Sequence, residues 1–309
     1  MRPARIKFYF LITTLVILWC GNFIALKVCL RAMPPLGVTA FRVSGAAVIL
    51  IFVYLFSRRR QGLHPLRKQD YIFFFKLALT GLLLNQTLFV LGLSYSTVAH
   101  SALIVTFGPL FTLIFAWLRG QENLTSRKIL GMFSSISGIV LLNFNSDFTL
   151  QTQSLLGDSF TLAGSMAFAY FTVLSKNVAS LYGSVPSTCF TYFAGACLLL
   201  PIGLPFMLKV EWLNLTWRSY LAFFYVAALS SVLAQLIFYY ALRRMSASRL
   251  ASLTYLQPVV TTISSVVVLS EKLSINFIIG GSLVLTGIVL TQRVDSKQFL
   301  KSLSKGGLR

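Results

Sequence analysis

Long continuous apolar runs, separated by short polar and basic segments, fill almost the whole chain. Ten can be drawn, at residues 8–30, 36–56, 71–93, 97–118, 128–143, 156–176, 186–206, 218–241, 247–269 and 275–291. An α-helix needs about 20 apolar residues to cross a hydrocarbon layer; the runs approach this length, the fifth and tenth being short. Their apolar residues are consecutive rather than alternating, which excludes the strands of a membrane β-barrel. The pattern predicts an all-α membrane protein of ten transmembrane helices.

The runs repeat. Displaced by about 149 positions, Leu88–Asn143 lies on Ile237–Gln292 without a gap. Phe89 meets Phe238, Ala102 meets Ala251, Pro109 meets Pro258, Glu122 meets Glu271, and Gly131 meets Gly280. The alignment holds about 14 identities over roughly 56 positions, far above chance. The same displacement pairs Lys27 with Lys176, Phe41 with Phe190 and Gln86 with Gln235. The chain therefore divides into two five-helix units, 1–149 and 150–298, with a basic tail at 299–309. An odd number of crossings sends the second unit into the membrane from the opposite side, so the repeats are expected to be inverted around a central cavity.

Charge supports that geometry and sets the orientation. Lys and Arg number 27 against 7 acids. With the amino terminus in the cytoplasm, about 20 basic residues fall on the inner side and about 5 outside, a strong positive-inside bias. Segment 57–70 is basic, whereas its counterpart 206–219 holds Lys209 and Arg218; conversely 94–96 has no base and 243–245 has Arg243 and Arg244. The copies keep one apolar pattern and exchange their basic loops. Composition fits the same picture: 56% apolar, 11% charged, mean hydropathy +0.79. A basic chain usually meets nucleic acid or an anionic membrane surface; with its bases set between apolar runs, this one is expected to face an anionic inner leaflet and no nucleic acid. Cys20, Cys29, Cys189 and Cys197 lie in or beside apolar runs without C-x-x-C spacing and read as core residues. The basic Met1–Lys7 precedes a run without a small-residue cleavage site, so it reads as the start of a retained span.

Polar residues inside apolar runs are the functional candidates, because an unsatisfied polar group in hydrocarbon is costly. Arg42 lies inside the second run with Thr39, Gly45 and Ala46 beside it, and the acids of the chain all fall in loops or at helix ends, so none is expected within the membrane to pair with it. Either it faces a cavity and a carboxylate-bearing substrate, or it snorkels to the outer headgroups. Gln86 and Gln235 are matched amides, cavity-facing or interhelical. Trp19 and Asn22 share a face of the first run. Pro109 and Pro258 interrupt the fourth and ninth, as hinges or as static kinks, each freeing a carbonyl four residues earlier; Thr106 and Tyr255 precede them by three residues on the same face. Substrate contacts are thus assigned to Trp19, Asn22, Arg42, Gln86, Thr106, Gln235 and Tyr255, and movement to Pro109 and Pro258. Lys76, near the cytoplasmic end of the third run, reads as a snorkelling lysine, and His100, at the start of the fourth, as structural. Glu122 and Glu271 precede the cap-like Thr125-Ser126 and Ser274, which suits tight turns rather than chemistry. The glycines of the fifth and tenth runs allow close helix approach, within the chain or in a homodimer.

A phosphate-binding G-x-x-x-x-G-K-[ST] loop, an H-E-x-x-H zinc motif and a Ser/His/Asp set are all missing from the sequence, so neither an enzyme nor a cofactor or metal site is expected.

The ordered set of short motifs resembles a known family. Leu18-Trp19-Cys20-Gly21-Asn22-Phe23, Pro34-Pro35 and Phe41-Arg42 look like the opening of EamA-type members of the drug/metabolite transporter superfamily. Tyr240-Ala241-Leu242, Ala251-Ser252-Leu253, Gln257-Pro258 and Ser270-Glu271-Lys272-Leu273 look like its second-repeat signature, with Ser270 where the family often has glycine. Leu156-Gly157-Asp158 is similar to its approach to the sixth helix. The resemblance implies a cavity lined by helices one to four and six to nine, with five and ten peripheral. It also implies inner-membrane export or exchange of small metabolites such as amino acids or nucleosides. A lipid-linked substrate carrier or flippase of the same fold is the alternative cargo class.

Overall fold

The computed structural model describes residues 3–58, 68–96, 98–142, 152–257, 260 and 275–293. Among these the chain is helical, with no strand. The helices are α1 (Pro3–Leu30), α2 (Pro35–Arg58), α3 (Lys68–Ala78, Leu79–Leu84 and Asn85–Tyr95 in continuation), α4 (Val98–Val105 and Gly108–Leu118), α5 (Ser126–Leu142), α6 (Thr152–Tyr182), α7 (Ser184–Leu208), α8 (Trp217–Phe224, Tyr225–Leu233 and Ala234–Leu242 in continuation), the opening of α9 (Ala247–Ser252, then the 3-10 turn Leu253–Tyr255) and α10 (Ile275–Arg293). The tail 299–309, Glu271, Ser274 and the remainder of the ninth run, Pro258 included, lie outside the described residues.

Five stretches are long and apolar enough to cross a membrane: Ile6–Leu30, Pro35–Ser57, Asp70–Tyr95, Ser184–Leu208 and Trp217–Leu242. Helix α6, with 31 residues, has the length but not the apolarity. Its polar residues Thr161, Ser165, Thr172 and Ser175 are buried inside the protein, so they do not face hydrocarbon. Helix α4 is interrupted. Its first piece stops at Val105 and the second starts at Gly108, with tight-turn bonds Phe107 N to Ile104 O (3.1 Å) and Leu110 N to Phe107 O (3.1 Å). Pro109 thus occupies the first turn of a new helical piece, where its missing N–H is tolerated, rather than the middle of a continuous helix.

Local chemistry ends the helices where the sequence turns. After α4, Gly120 at φ +64° lets Gln121 N donate to Ala116 O (2.8 Å) and Gly120 N to Trp117 O (2.9 Å), a Schellman closure that requires a residue without Cβ strain. Thr125 Oγ1 then accepts from Lys128 N (3.4 Å) at the start of α5. Gly183, at φ +83°, reverses the chain between α6 and α7.

Helix starts recur at a displacement of 149 residues: Pro3 and Thr152, Pro35 and Ser184, Lys68 and Trp217, Val98 and Ala247, Ser126 and Ile275. The π-helical stretches Leu79–Leu84 and Tyr225–Leu233 end at matched positions too. So do two lysine contacts: Lys27 Nζ donates to Ser96 O (2.7 Å) and Lys176 Nζ to Met245 O (2.7 Å), each placing a cation on the carbonyl end of a helix.

Matched helices pack antiparallel. On α5 and α10, Gly131 lies against Gly287 and Gly138 against Gly280, while Ser134 Oγ donates to Leu283 O (3.0 Å) and Ser135 Oγ to Val284 O (3.3 Å). On α2 and α7, Gly203 lies against Ala40, and the Tyr54 and Phe190 rings are 5.1 Å apart. Helices α3 and α6, which are not counterparts in the repeat, also run antiparallel, meeting at Gly92 and Gly157 with Asn85 Nδ2 donating to Gly164 O (2.9 Å). Small residues at each crossing let backbones approach closely. The small residues of α5 and α10 thus serve a contact within the chain.

Candidate functional site

The helices line a cavity of about 110 Å³, with walls from α1, α2, α3, α4, α6, α8 and α9. Its apolar walls are aromatic. Trp19 packs on Phe168 and Phe238, at ring separations of 6.1 and 6.0 Å, and one turn further along α1 Phe23 meets Phe89 edge-on at 5.3 Å. Its polar lining includes Asn22, Arg42, Asn85, Gln86, Ser165, Ser230, Gln235, Thr254 and Gln257.

Arg42 is the charged member, and it is 3% exposed. Its Nε donates to Ser231 Oγ (3.2 Å) and its Nη2 to Ser230 Oγ (3.3 Å); Ser230 Oγ in turn donates to Asn22 Oδ1 (2.7 Å). The third nitrogen, Nη1, is buried without a hydrogen-bond partner. The two serines lie in the π-helical stretch of α8, whose wide turn also lets Ser231 Oγ reach back five residues to Val226 O (2.6 Å). Such bulges recur at functional sites because the extra residue re-aims its neighbours. Arg42 therefore does not snorkel. At a displacement of 149 residues its counterpart is Thr191, whose hydroxyl meets the Tyr239 hydroxyl at 3.3 Å, so that position carries no charge.

The acids are elsewhere. Glu122 accepts from Lys128 Nζ (2.6 Å), Ser248 N (3.0 Å) and the Ser248 hydroxyl, joining the α4–α5 turn to the start of α9. Asp158 accepts from Ser96 Oγ (2.7 Å), Asp70 from the Tyr182 hydroxyl, and Glu211 from Asn214 Nδ2 (2.8 Å). None of these acids lines the cavity. Among the described residues no group of three or more His, Cys, Asp or Glu is arranged to hold a metal ion.

The model of the EamA-like transporter family matches residues 6–144 and, a second time, residues 155–293. The chain belongs to the EamA-like transporter family. An uncharacterized transporter of Archaeoglobus fulgidus is 26% identical over 294 residues, covering 92% of this chain and 97% of that one. The uncharacterized transporter YyaM of Bacillus subtilis is 25% identical over 293 residues, covering 94% and 95%. A solved crystal structure, 18% identical, shares the fold with a TM-score of 0.74 over 94% of this chain and 98% of its own. As an EamA-like transporter the chain is a multi-pass membrane protein, in keeping with its apolar helices.

Of the residues singled out from the sequence, the EamA-like fold brings Trp19, Asn22, Arg42, Gln86, Gln235 and Pro109 to one cavity. Thr106 and Tyr255 are both buried, and neither lines it. The expectation that Thr106 shares a face with Pro109 needs a continuous α-helix, but α4 breaks after Val105, while the chain tightens to 3-10 over Leu253–Tyr255. Tyr255 packs instead with Leu113, Met132, Ile139, Val284 and Ile288, towards α5 and α10, its hydroxyl without a partner. Pro258 and the side chain of His100 lie outside the described residues. Lys76 is exposed. Ser230, Phe89 and Phe168 are lining residues that the sequence pattern does not single out. The Ser230-Ser231 pair inside an apolar run was the available signal for the first; nothing distinguishes a lining phenylalanine from a packing one.

Proposed function

We propose that this chain is a secondary-active transporter of a small polar metabolite, such as an amino acid, a nucleoside or another carboxylate-bearing solute. It would work by alternating access around the central cavity. The observation that carries the reading is Arg42: a buried guanidinium on the cavity wall, held by two neutral hydroxyls, with one nitrogen unpartnered. A buried charge of this kind is stable only when something neutralises or solvates it, and a carboxylate matches a guanidinium fork. Asn22, Gln86 and Gln235 supply uncharged donors and acceptors around it, and Trp19 an apolar wall.

The two halves, 1–149 and 150–298, are proposed to be inverted five-helix repeats in the plasma (inner) membrane with both termini cytoplasmic. Three features support the inversion: recurring helix starts, antiparallel packing of matched helices, and direct contact between matched residues such as Ser134 and Leu283. Contacts between matched residues arise where a two-fold axis passes. The excess of Lys and Arg on alternate loops supports the orientation. Pro109, in the break of α4, is the proposed hinge, with Pro258 its partner.

Uptake of a panel of labelled carboxylates into vesicles containing the protein tests the reading. Arg42→Ala is expected to reduce uptake about tenfold or more, because the charge-assisted pairing is lost. Undiminished carboxylate uptake would remove Arg42 from the site.

A further inference from the structure

We infer that the solute is an organic monoanion without an ammonium group, and that the carrier exchanges one such anion for another rather than returning empty. The inference rests on the transporter reading above and concerns the charge balance of the same cavity.

Among the described residues, the cavity wall holds one fixed cation, Arg42, and no acid. The four described acids are held by partners away from it, and the other three, Asp147, Glu271 and Asp295, lie beyond the apolar stretches that the lining helices contribute. An amino acid would place an ammonium where no carboxylate receives it, and burying an unpaired ammonium is as unfavourable as burying an unpaired guanidinium. A dianion would bring a second charge against neutral amides and aromatic rings. A single carboxylate on Arg42 Nη1, with an apolar body between Trp19 and Phe89, leaves the site neutral.

The same balance acts on the moving carrier. Changing the open side requires the cavity to close, and Arg42 is already nearly dry in this structure, 3% exposed with Nη1 unpartnered, so closing on an empty site carries a buried cation through without a counter-charge. Closing on the bound anion buries a neutral pair. Reorientation is therefore fast when loaded and slow when empty, and net flux in either direction becomes an anion-for-anion exchange. Fixed protein charge does not rescue the empty carrier, because Ser230 and Ser231 are neutral and Asn22 Oδ1 is already accepting from Ser230. The asymmetry between Arg42 and its counterpart Thr191 fits a site with one charge, not a symmetric pair.

An untargeted exchange experiment tests both halves of the inference. Proteoliposomes of the full chain are loaded with the small-molecule fraction of a bacterial cytosol, or with buffer, and placed in a uniformly ¹³C-labelled small-molecule extract; mass spectrometry identifies what is taken up. Monoanionic acids are expected to enter loaded vesicles about tenfold faster, or more, than empty ones. Exchange of equal charges moves no net charge, so a potassium potential set with valinomycin is expected to leave that rate unchanged. Equal uptake into loaded and empty vesicles, or potential-driven accumulation in empty ones, overturns the exchange while leaving the transporter reading intact. Uptake dominated by zwitterionic amino acids or neutral nucleosides overturns the monoanion assignment. No uptake above protein-free vesicles in either case overturns the transporter reading and this inference together. Arg42→Gln is expected to abolish the dependence on internal solute, with correct insertion checked by its melting temperature.

Discussion

Arg42 and Lys128 are both buried cations, and their surroundings assign them opposite tasks. Lys128 and Glu122 are 3% and 6% exposed and bond at 2.6 Å, with the amide and hydroxyl of Ser248 completing the carboxylate's coordination. Nothing is left for a ligand to satisfy, so the pair is structural. Removing one partner of such a pair leaves a buried charge alone, which costs about 3–5 kcal/mol. Lys128→Met is therefore expected to lower the melting temperature in detergent strongly, whereas Lys76→Met, at an exposed lysine, changes it little. Arg42 is the reverse case: its guanidinium keeps one nitrogen unused on the cavity wall, and replacing it is expected to act on transport more than on stability. The sequence placed both residues correctly near or within apolar runs. It could not distinguish them, because the distinction is the presence of Ser248 from the start of α9 beside one and of Ser230 and Ser231 from α8 beside the other.

At the level of elements, the small residues of α5 and α10 set how closely the pair can approach. A Cβ on Gly138 would stand 2.5 Å from Gly280 O and 2.9 Å from Leu283 Cβ, mostly unyielding backbone and near-backbone atoms; a Cβ on Gly281 would meet nothing within 4 Å. The same substitution is thus expected to act with opposite sign one helix apart. Gly138→Ala forces the helices apart, by analogy with overpacked cores at about 1–3 kcal/mol. Gly281→Ala gains roughly the helix-propensity difference, about 1 kcal/mol. Thermal melts of the two variants in one detergent check both signs, and a stabilising Gly138→Ala would refute the packing argument. The lysine contacts belong to this scale as well. Lys27 and Lys176 close equivalent corners, so Lys27→Met and Lys176→Met are each expected to destabilise by about 1–3 kcal/mol through an unsatisfied helix end.

For the whole molecule, the proposed inverted arrangement makes a prediction independent of any substrate. Reporter fusions in segment 57–70 and in its counterpart 206–219 are expected to report opposite sides of the membrane, the first cytoplasmic. Reports from one side for both would end the inverted scheme and the alternating-access reading with it. An architecture built from two matched halves can hold two equivalent conformations, each open to one side. The chemistry on it is not symmetric. Arg42 corresponds to Thr191 in the repeat, and Ser230 and Ser231 stand where the first half has Gly81 and Leu82. On the proposed reading, the repeated frame would supply the motion and the asymmetric lining the selectivity.

The amino-acid sequence determined the helical class, the repeat and its 149-residue displacement, the positions of most helix ends and the set of polar residues inside apolar runs. These follow from local rules: the length of an apolar run, proline and glycine punctuation, and the distribution of lysine and arginine. Which polar residues meet was decided by the tertiary structure alone. Thr106, at the break in α4, and Tyr255, in the tightened turn of α9, do not line the cavity, and Ser230, in the wide turn of α8, meets Arg42 across 188 residues of chain. Helix faces are additive only while the helix is regular. Each departure from 3.6 residues per turn re-aims everything beyond it, and those departures are fixed by packing between helices rather than by the residues of any one of them.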